Sequence, residues 1–170
     1  MIADEFERLY QSTIFYVFSD VRTTKARLIF NMKELNISVV KESFTMIKIS
    51  DIIQLIGKDN FACTLDISKA YHHISINEKF QKCFFLYSRQ CKIQIYLYMP
   101  FGLTTAPYIF SKTTDAIWKF LRKKYFMTIF AYLDDILILG DSFEKTRYHS
   151  ILTVNLLNEL GFKMNLENPI

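Results

Sequence analysis

Residues 126–140 read FMTIFAYLDDILILG, two apolar runs on either side of two adjacent acids. Apolar runs of this length around a short interruption predict the two strands of a β-hairpin. Hairpin turns ordinarily favour Asn-Gly or Asp-Gly, so the pair Asp134 and Asp135 is unusual there. Two carboxylates in a partly buried turn repel each other and lose solvation unless a cation neutralises them. Taken alone, the pair still favours a solvent-exposed acidic turn over a divalent-metal site.

A third acid lies in an apolar stretch upstream. Residues 61–67 read FACTLDI and predict a strand that contains Asp66, where a carboxylate is otherwise unfavourable. Three acids in strand-like surroundings favour convergence on one site, and hard carboxylate oxygens suit Mg²⁺ or Mn²⁺. Two such ions about 3.5–4 Å apart can stabilise the attacking and leaving oxygens of an in-line phosphoryl displacement. The acids therefore indicate nucleotidyl transfer.

The remaining strand patterns lie in the first hundred residues. Apolar runs at 80–87 and 91–98 flank a polar stretch and predict a second hairpin. Isoleucines at helical spacing predict an amphipathic helix over 45–56 that ends at Gly57. No repeat, low-complexity tract or Gly/Pro/Ser linker interrupts the chain, so we expect one folding unit.

Two longer helices are predicted in the second half. One starts at Thr105, with Pro107 in its first turn. The other follows a capping box of Asp141 and Glu144 and ends at Gly161. The predicted fold class is α+β, an antiparallel sheet with helices packed on one face. The apolar stripe predicted for the first of these helices consists of Ile109, Phe110, Ile117, Phe120 and Leu121.

Composition narrows the class of protein. With 51% hydrophobic and 22% charged residues the chain is not disordered. Its apolar character fits either a dense aromatic core or apolar surface covered by a further segment. A net charge of +4 permits a nucleic-acid partner without requiring one. No apolar run approaches the ~18 residues of a membrane span, and the first ten residues are acidic, so we expect an intracellular protein without a membrane partner.

Cysteines and histidines give no metal pattern. Cys63, Cys83 and Cys91 lack C-x-x-C spacing, and we expect three buried, reduced thiols. The adjacent His72 and His73 would point to opposite faces of a strand, which argues against a zinc site.

Four segments follow one another along the chain: RLIFNMKELN (27–36), LDISKAY (65–71), MPFGLTTAP (99–107) and YLDD (132–135). In this order they resemble the motifs of reverse transcriptases, and the resemblance extends roughly from residue 24 to the end of the chain. The segments are most similar to those of retrotransposon enzymes, of DIRS-type or a related LTR-type. The resemblance implies fingers from about 1–41 and 74–105, and a palm from about 42–73 and 106–170.

The resemblance also assigns the catalytic groups. Asp66, Asp134 and, less directly, Asp135 are implied to be catalytic and to bind two Mg²⁺ or Mn²⁺ ions, with the Ile67 carbonyl as a further metal contact. The implied reaction joins dNTPs to a primer 3′-hydroxyl on an RNA or DNA template.

A nucleotide pocket is implied as well. Tyr71 matches the steric gate that excludes a ribose 2′-hydroxyl, with an ordinary core tyrosine as the less favoured alternative. Arg27 matches the arginine that packs over the incoming base and contacts its triphosphate, with Lys25 assisting. Phe101 lies beside the sugar, and Gly102 lets the backbone approach the nucleotide.

The chain departs from the family in two respects. Asn168 stands where a lysine would be expected to protonate the pyrophosphate, and Lys163 lies earlier in the sequence. A thumb is expected to be missing, to be supplied by another segment or chain. Two alternatives to an RNA-directed DNA polymerase stay open: a catalytically silent remnant that binds nucleic acid or a protein, and an RNA-synthesising polymerase, which Tyr71 disfavours.

Overall fold

The structure is a computed structural model that describes residues 11–18, 26–81, 83–87, 94–95 and 97–165. The described residues divide into two compact units, and the expectation of one folding unit stays a prediction. Unit one lies within Met1–Glu42 and Ile74–Ala106, and unit two within Ser43–His73 and Pro107–Ile170. That these are fingers and palm stays a prediction.

The described residues form helices and strands whose pairing is mostly antiparallel, which makes the fold class mixed α+β, as predicted. The strands are β1 (Gln11–Phe18), β2 (Ala26–Asn31), β3 (Phe61–Asp66), β4 (Phe85–Tyr87), β5 (Gln94–Ile95), β6 (Thr128–Tyr132) and β7 (Asp135–Gly140). The helices are α1 (Lys33–Ser38), α2 (Ile49–Ile53), α3 (Glu78–Gln81), α4 (Ala106–Tyr125) and α5 (Phe143–Glu159), with a 3₁₀ turn at Ala70–His73.

Unit one contains a sheet of order β2-β1-β4-β5. The predicted second hairpin is confirmed in its described part, because β4 and β5 pair antiparallel. Its first strand begins later than predicted, since the Asn77 side chain accepts a hydrogen bond from the Lys79 N–H and starts helix α3. The pairing of β1 with β4 is parallel, so this sheet is mixed, whereas the sheet of unit two is antiparallel as predicted.

Unit two contains an antiparallel sheet of order β3-β7-β6. The strand at 61–67 and the hairpin at 126–140 are therefore confirmed. Ile129, Ile136 and Ile138 are almost fully buried in this sheet. Helix α5 packs against β3 and β7, and Gly140 at the end of β7 lies directly against Thr146 of that helix.

The helix predicted over 45–56 was wrong in length and in burial. Of residues 45–56, only α2 (Ile49–Ile53) is helical. Ile49 and Ile53 within it are 70% and 62% exposed. No side chain caps its start at Lys48, and β-branched residues such as Ile and Thr form helices weakly. The isoleucine spacing therefore does not mark a buried face.

Helices α4 and α5 begin and end close to the predicted residues, but their details differ. In α4, Ile109 and Phe120 are exposed, and the buried positions of the helix include Thr114 and Trp118 instead. The start of α5 is capped by Ser142, whose hydroxyl accepts the Lys145 N–H at 3.2 Å, and not by the predicted Asp141 box. Several buried positions of α5 are polar: Thr146, His149, Ser150 and Thr153.

Both explanations of the apolar composition have support, because a core exists while Val40 and Phe126 are 78% and 85% exposed. Cys63 and Cys83 are free but only half-buried, which corrects the expectation of buried thiols; Cys91 lies outside the described residues. Among the described residues, no helix is long and apolar enough to cross a membrane.

Candidate active site

The sheet of unit two brings the early acid to the tandem pair. In the register of β3 with β7, Asp66 lies directly opposite Asp135. The N–H of Ile67 donates to the backbone carbonyl of Asp134 at 3.0 Å, which fixes the turn beside the end of β3. Since Gly140 faces α5, the pleat turns Asp135 and its partner Asp66 to the opposite face of the sheet.

The turn that carries Asp134 is short and strained. Tyr132 pairs with Asp135, so only Leu133 and Asp134 connect the two strands. Leu133 adopts the left-handed conformation with φ 57°, which costs a residue with a side chain roughly 1–2 kcal/mol. Strain of this kind is typical of functional sites, where the surrounding structure maintains it.

The surroundings of Asp134 disfavour the ionised form of its carboxyl group. Partial burial raises the pKa of its carboxyl above the usual value, against a backbone hydrogen bond that lowers it. The charges of Asp135 and Asp66 raise this pKa further. A proton or a cation is therefore favoured at Asp134 more than at an ordinary aspartate.

The residue types fit a divalent cation, because carboxylate oxygens are the donors that Mg²⁺ and Mn²⁺ prefer. The β3–β7 register, which sets Asp66 opposite Asp135 beside the turn of Asp134, is the structural observation that supports this fit. The side-chain positions do not complete a site by themselves. Within the described part of the chain, no three His, Cys, Asp or Glu side chains are placed closely enough to hold a metal ion.

Tyr71 belongs to the same unit as the acids. It lies in the 3₁₀ turn, half-buried, with its ring edge-on to Phe110 at 5.7 Å between centroids. Burial raises the pKa of the Tyr71 phenol, and the charges of Asp134 and Tyr132 raise it further. The phenol therefore lies within electrostatic reach of the predicted catalytic turn while its ring contacts the core.

The other predicted nucleotide contacts belong to unit one. Arg27 lies in β2 opposite Val17, and its side chain is outside the described part of the structure. Lys25 also lies outside the described residues. Phe101 is 40% exposed. The structure therefore describes Tyr71 beside the acids, and a nucleotide pocket formed by the other residues stays a prediction.

Gly102 has a structural reason that the sequence did not suggest. Its φ is +95°, and a Cβ there would lie 3.0 Å from the carbonyl oxygen of Phe30. The Asn36 side chain donates to the Gly102 carbonyl at 2.8 Å and accepts the Thr104 N–H at 2.9 Å. Two of the recognised segments, 27–36 and 99–107, are thus tied together by Asn36.

Three polar contacts of unit two were missed in the sequence. Asn165 donates to the Asp66 carboxylate, although the two residues are 99 positions apart. His73 lies in the 3₁₀ turn rather than in the strand we expected, and accepts a hydrogen bond from Lys163 N–H. Arg122 donates twice to the Ile129 carbonyl. No local sequence pattern predicts contacts between residues so far apart. Asn168, which stands where the resemblance would place a lysine, lies outside the described residues.

Comparison with known proteins gives a family and several relatives. A family profile described as "Reverse transcriptase (RNA-dependent DNA polymerase)" matches residues 17–167. Polyprotein P3 of Commelina yellow mottle virus is 27% identical over 150 residues, 85% of this chain and 8% of that protein. The retrovirus-related Pol polyprotein from transposon 297 of Drosophila melanogaster is 28% identical over 144 residues, 84% of this chain and 13% of that protein.

A third relative is the enzymatic polyprotein of Cestrum yellow leaf curling virus, which is 24% identical over 155 residues, 90% of this chain and 24% of that protein. The chain thus spans less than a quarter of the length of these polyproteins. The profile covers most of the chain, and the matched residues include all three acids. This chain belongs to the reverse transcriptase family.

Proposed function

We propose that this chain is the catalytic part of a retroelement RNA-directed DNA polymerase, with unit one as fingers and unit two as palm. The single observation that carries the proposal is the β3–β7 register, which sets Asp66 opposite Asp135 beside the turn of Asp134. The names of relatives from transposons support a retrotransposon origin. The DIRS-type subgroup stays a prediction.

In the proposed reaction, a primer 3′-hydroxyl attacks the α-phosphate of a dNTP paired with an RNA or DNA template. Asp66, Asp134 and Asp135, with the Ile67 carbonyl, would hold two Mg²⁺ or Mn²⁺ ions. When bound, such ions lower the pKa of the attacking hydroxyl and neutralise the leaving pyrophosphate. The acids supply negative charge on one face of a rigid sheet, where mutual repulsion makes a cation favourable.

We propose that Tyr71 excludes the ribose 2′-hydroxyl, and its place within reach of the Asp134 charge supports this role. Arg27 and Lys25 would contact the triphosphate, because a permanently charged guanidinium suits phosphate oxygens. Phe101 and Gly102 would lie beside the sugar. Template and primer would bind mainly through phosphates, so binding should weaken as salt rises.

The test is Mg²⁺- or Mn²⁺-dependent extension of a primer on an RNA template by the full chain. Asp134→Asn should lower the rate at least about a hundredfold, because metal-based charge stabilisation contributes several kcal/mol and each 1.36 kcal/mol is tenfold. Asp59→Asn is the matched control, since Asp59 lies in an exposed turn before β3 and should leave the rate unchanged.

The same experiment distinguishes a polymerase from a catalytically silent remnant. Equal extension by wild type and Asp134→Asn would contradict the assignment of the acids. Complete absence of metal-dependent extension by the wild type, with both metals, would contradict the proposed activity of this chain.

A further inference from the structure

The chain that follows α5 returns to the edge of β3 that β7 does not occupy. Ile67 and Met164 form an antiparallel bridge. The N–H of Asn165 donates to the Asp66 carbonyl at 2.8 Å, and the N–H of Ser68 donates to the Lys163 carbonyl at 2.8 Å. Residues 163–165 therefore extend the sheet at the position where β3 delivers its acid. We call these three residues the return segment.

The side chain of Asn165 reaches the acid itself. Its Nδ2 donates to Oδ2 of Asp66 at 3.0 Å. The backbone N–H of Asn165 also donates to the backbone carbonyl of Asp66. This second hydrogen bond fixes the position from which the side-chain amide reaches the carboxylate. A donor at one oxygen orients the carboxylate and leaves the other oxygen to a further partner. The amide adds no negative charge to a cluster that is already repulsive.

The return segment is itself anchored at its start. Nε2 of His73 accepts the Lys163 N–H at 3.0 Å, and Nδ1 of the same ring lies 3.2 Å from the Ala70 carbonyl. An imidazole with its proton on Nδ1 satisfies both contacts. Phe162, just before the segment, is buried and packs against the rings of Phe110 and His73. The position of Asn165 is thus set by core packing as well as by backbone pairing.

We propose that Asn165 is a positioning residue, which orients the Asp66 carboxylate for metal binding, and that His73 holds the return segment in place. The inference rests on the proposed function, because it concerns how an acid of that site is held. Groups that hydrogen-bond to metal ligands commonly change metal affinity by roughly 10–100-fold when they are removed.

The experiment measures Mn²⁺ affinity of the full chain by electron paramagnetic resonance, together with kcat and KM for a dNTP and the melting temperature in chelator. Asn165→Ala should weaken Mn²⁺ binding about tenfold and lower kcat, with the melting temperature little changed because Asn165 is exposed. Asn158→Ala is the control, since Asn158 is an exposed residue of α5 and should change none of these quantities. His73→Phe keeps an aromatic ring beside Phe162. It should also weaken Mn²⁺ binding, but by less than Asn165→Ala does.

Unchanged Mn²⁺ affinity in Asn165→Ala would overturn the proposal. If Asn165→Ala loses Mn²⁺ affinity and also melts at a lower temperature, Asn165→Gln and Asn165→Met distinguish the lost hydrogen bond from lost stability. The two replacement side chains match in length, and only Gln has an N–H donor. Equal affinities in these two would overturn the proposal, and tighter binding by Asn165→Gln would support it. The proposed function fails separately: Asp134→Asn would then leave Mn²⁺ binding unchanged, whereas failure of this inference alone leaves the effect of Asp134→Asn intact.

Discussion

The contact between Gly140 and helix α5 predicts that Gly140→Ala destabilises the fold. A Cβ at Gly140 would overlap the Oγ1 of Thr146 and would lie 3.2 Å from its backbone N and 3.3 Å from its Cβ. The Thr146 hydroxyl donates to the Ser142 carbonyl at 2.9 Å, so rotating this side chain away would break a hydrogen bond in the first turn of α5. The backbone nitrogen cannot rotate away at all, and the helix would have to shift.

The magnitude follows from three terms. Overpacking a buried site costs about 1–3 kcal/mol. Loss of the hydroxyl bond adds about 0.5–1.5 kcal/mol. Replacing glycine returns about 0.4–1 kcal/mol, because alanine restricts the unfolded chain. We expect Gly140→Ala to lower the free energy of unfolding by about 1–3 kcal/mol.

Urea unfolding of the full chain measures this difference. The matched control is Gly57→Ala, where the added Cβ meets only the far end of the exposed Asn60 side chain, at 3.1 Å from Oδ1. Its effect should be smaller than that of Gly140→Ala. The double variant Gly140→Ala with Thr146→Ala should recover part of the loss, with a coupling above about 0.5 kcal/mol, because the overlapping hydroxyl is gone. An unchanged stability of Gly140→Ala, or strictly additive effects, would refute the packing argument.

Two further predictions concern the proposed chemistry. Tyr71→Val should admit ribonucleotides in primer extension while dNTP incorporation continues, and an unchanged preference for dNTPs would count against the gate and reopen the RNA-synthesising alternative. Because the pKa of Asp134 is raised, Mn²⁺ binding should fall, as the pH is lowered, at a higher pH than for an ordinary aspartate. In chelator the sign is opposite: protonation of Asp134 adds stability as the pH falls from its raised folded-state pKa towards the ordinary pKa of the unfolded chain. Asp135→Asn should lower the pH midpoint of both effects, and an unchanged midpoint would show that Asp135 does not contribute.

Local patterns were sufficient for the elements that lie near the acids. The strand at 61–67, the hairpin at 126–140 and the two long helices are confirmed, since apolar periodicity and glycine ends are properties of neighbouring residues. The same kind of pattern was wrong at α2, where isoleucine spacing coincides with exposed side chains. It was also wrong at the start of α5, because Ser142 rather than Asp141 meets the free backbone N–H. Which polar side chain caps a helix depends on the exact entry of the chain.

The sequence alone determined the family and singled out the three candidate acids, because the motifs around Asp66 and Asp134 are contiguous and need no fold to be recognised. Only the tertiary structure decided that Asp66 lies opposite Asp135, that burial and two neighbouring charges raise the pKa of Asp134, and that Asn165 holds Asp66. The physical reason is that each of these contacts joins distant parts of the chain. Their meeting is set by strand register and by the return of the chain after α5, which no local pattern encodes.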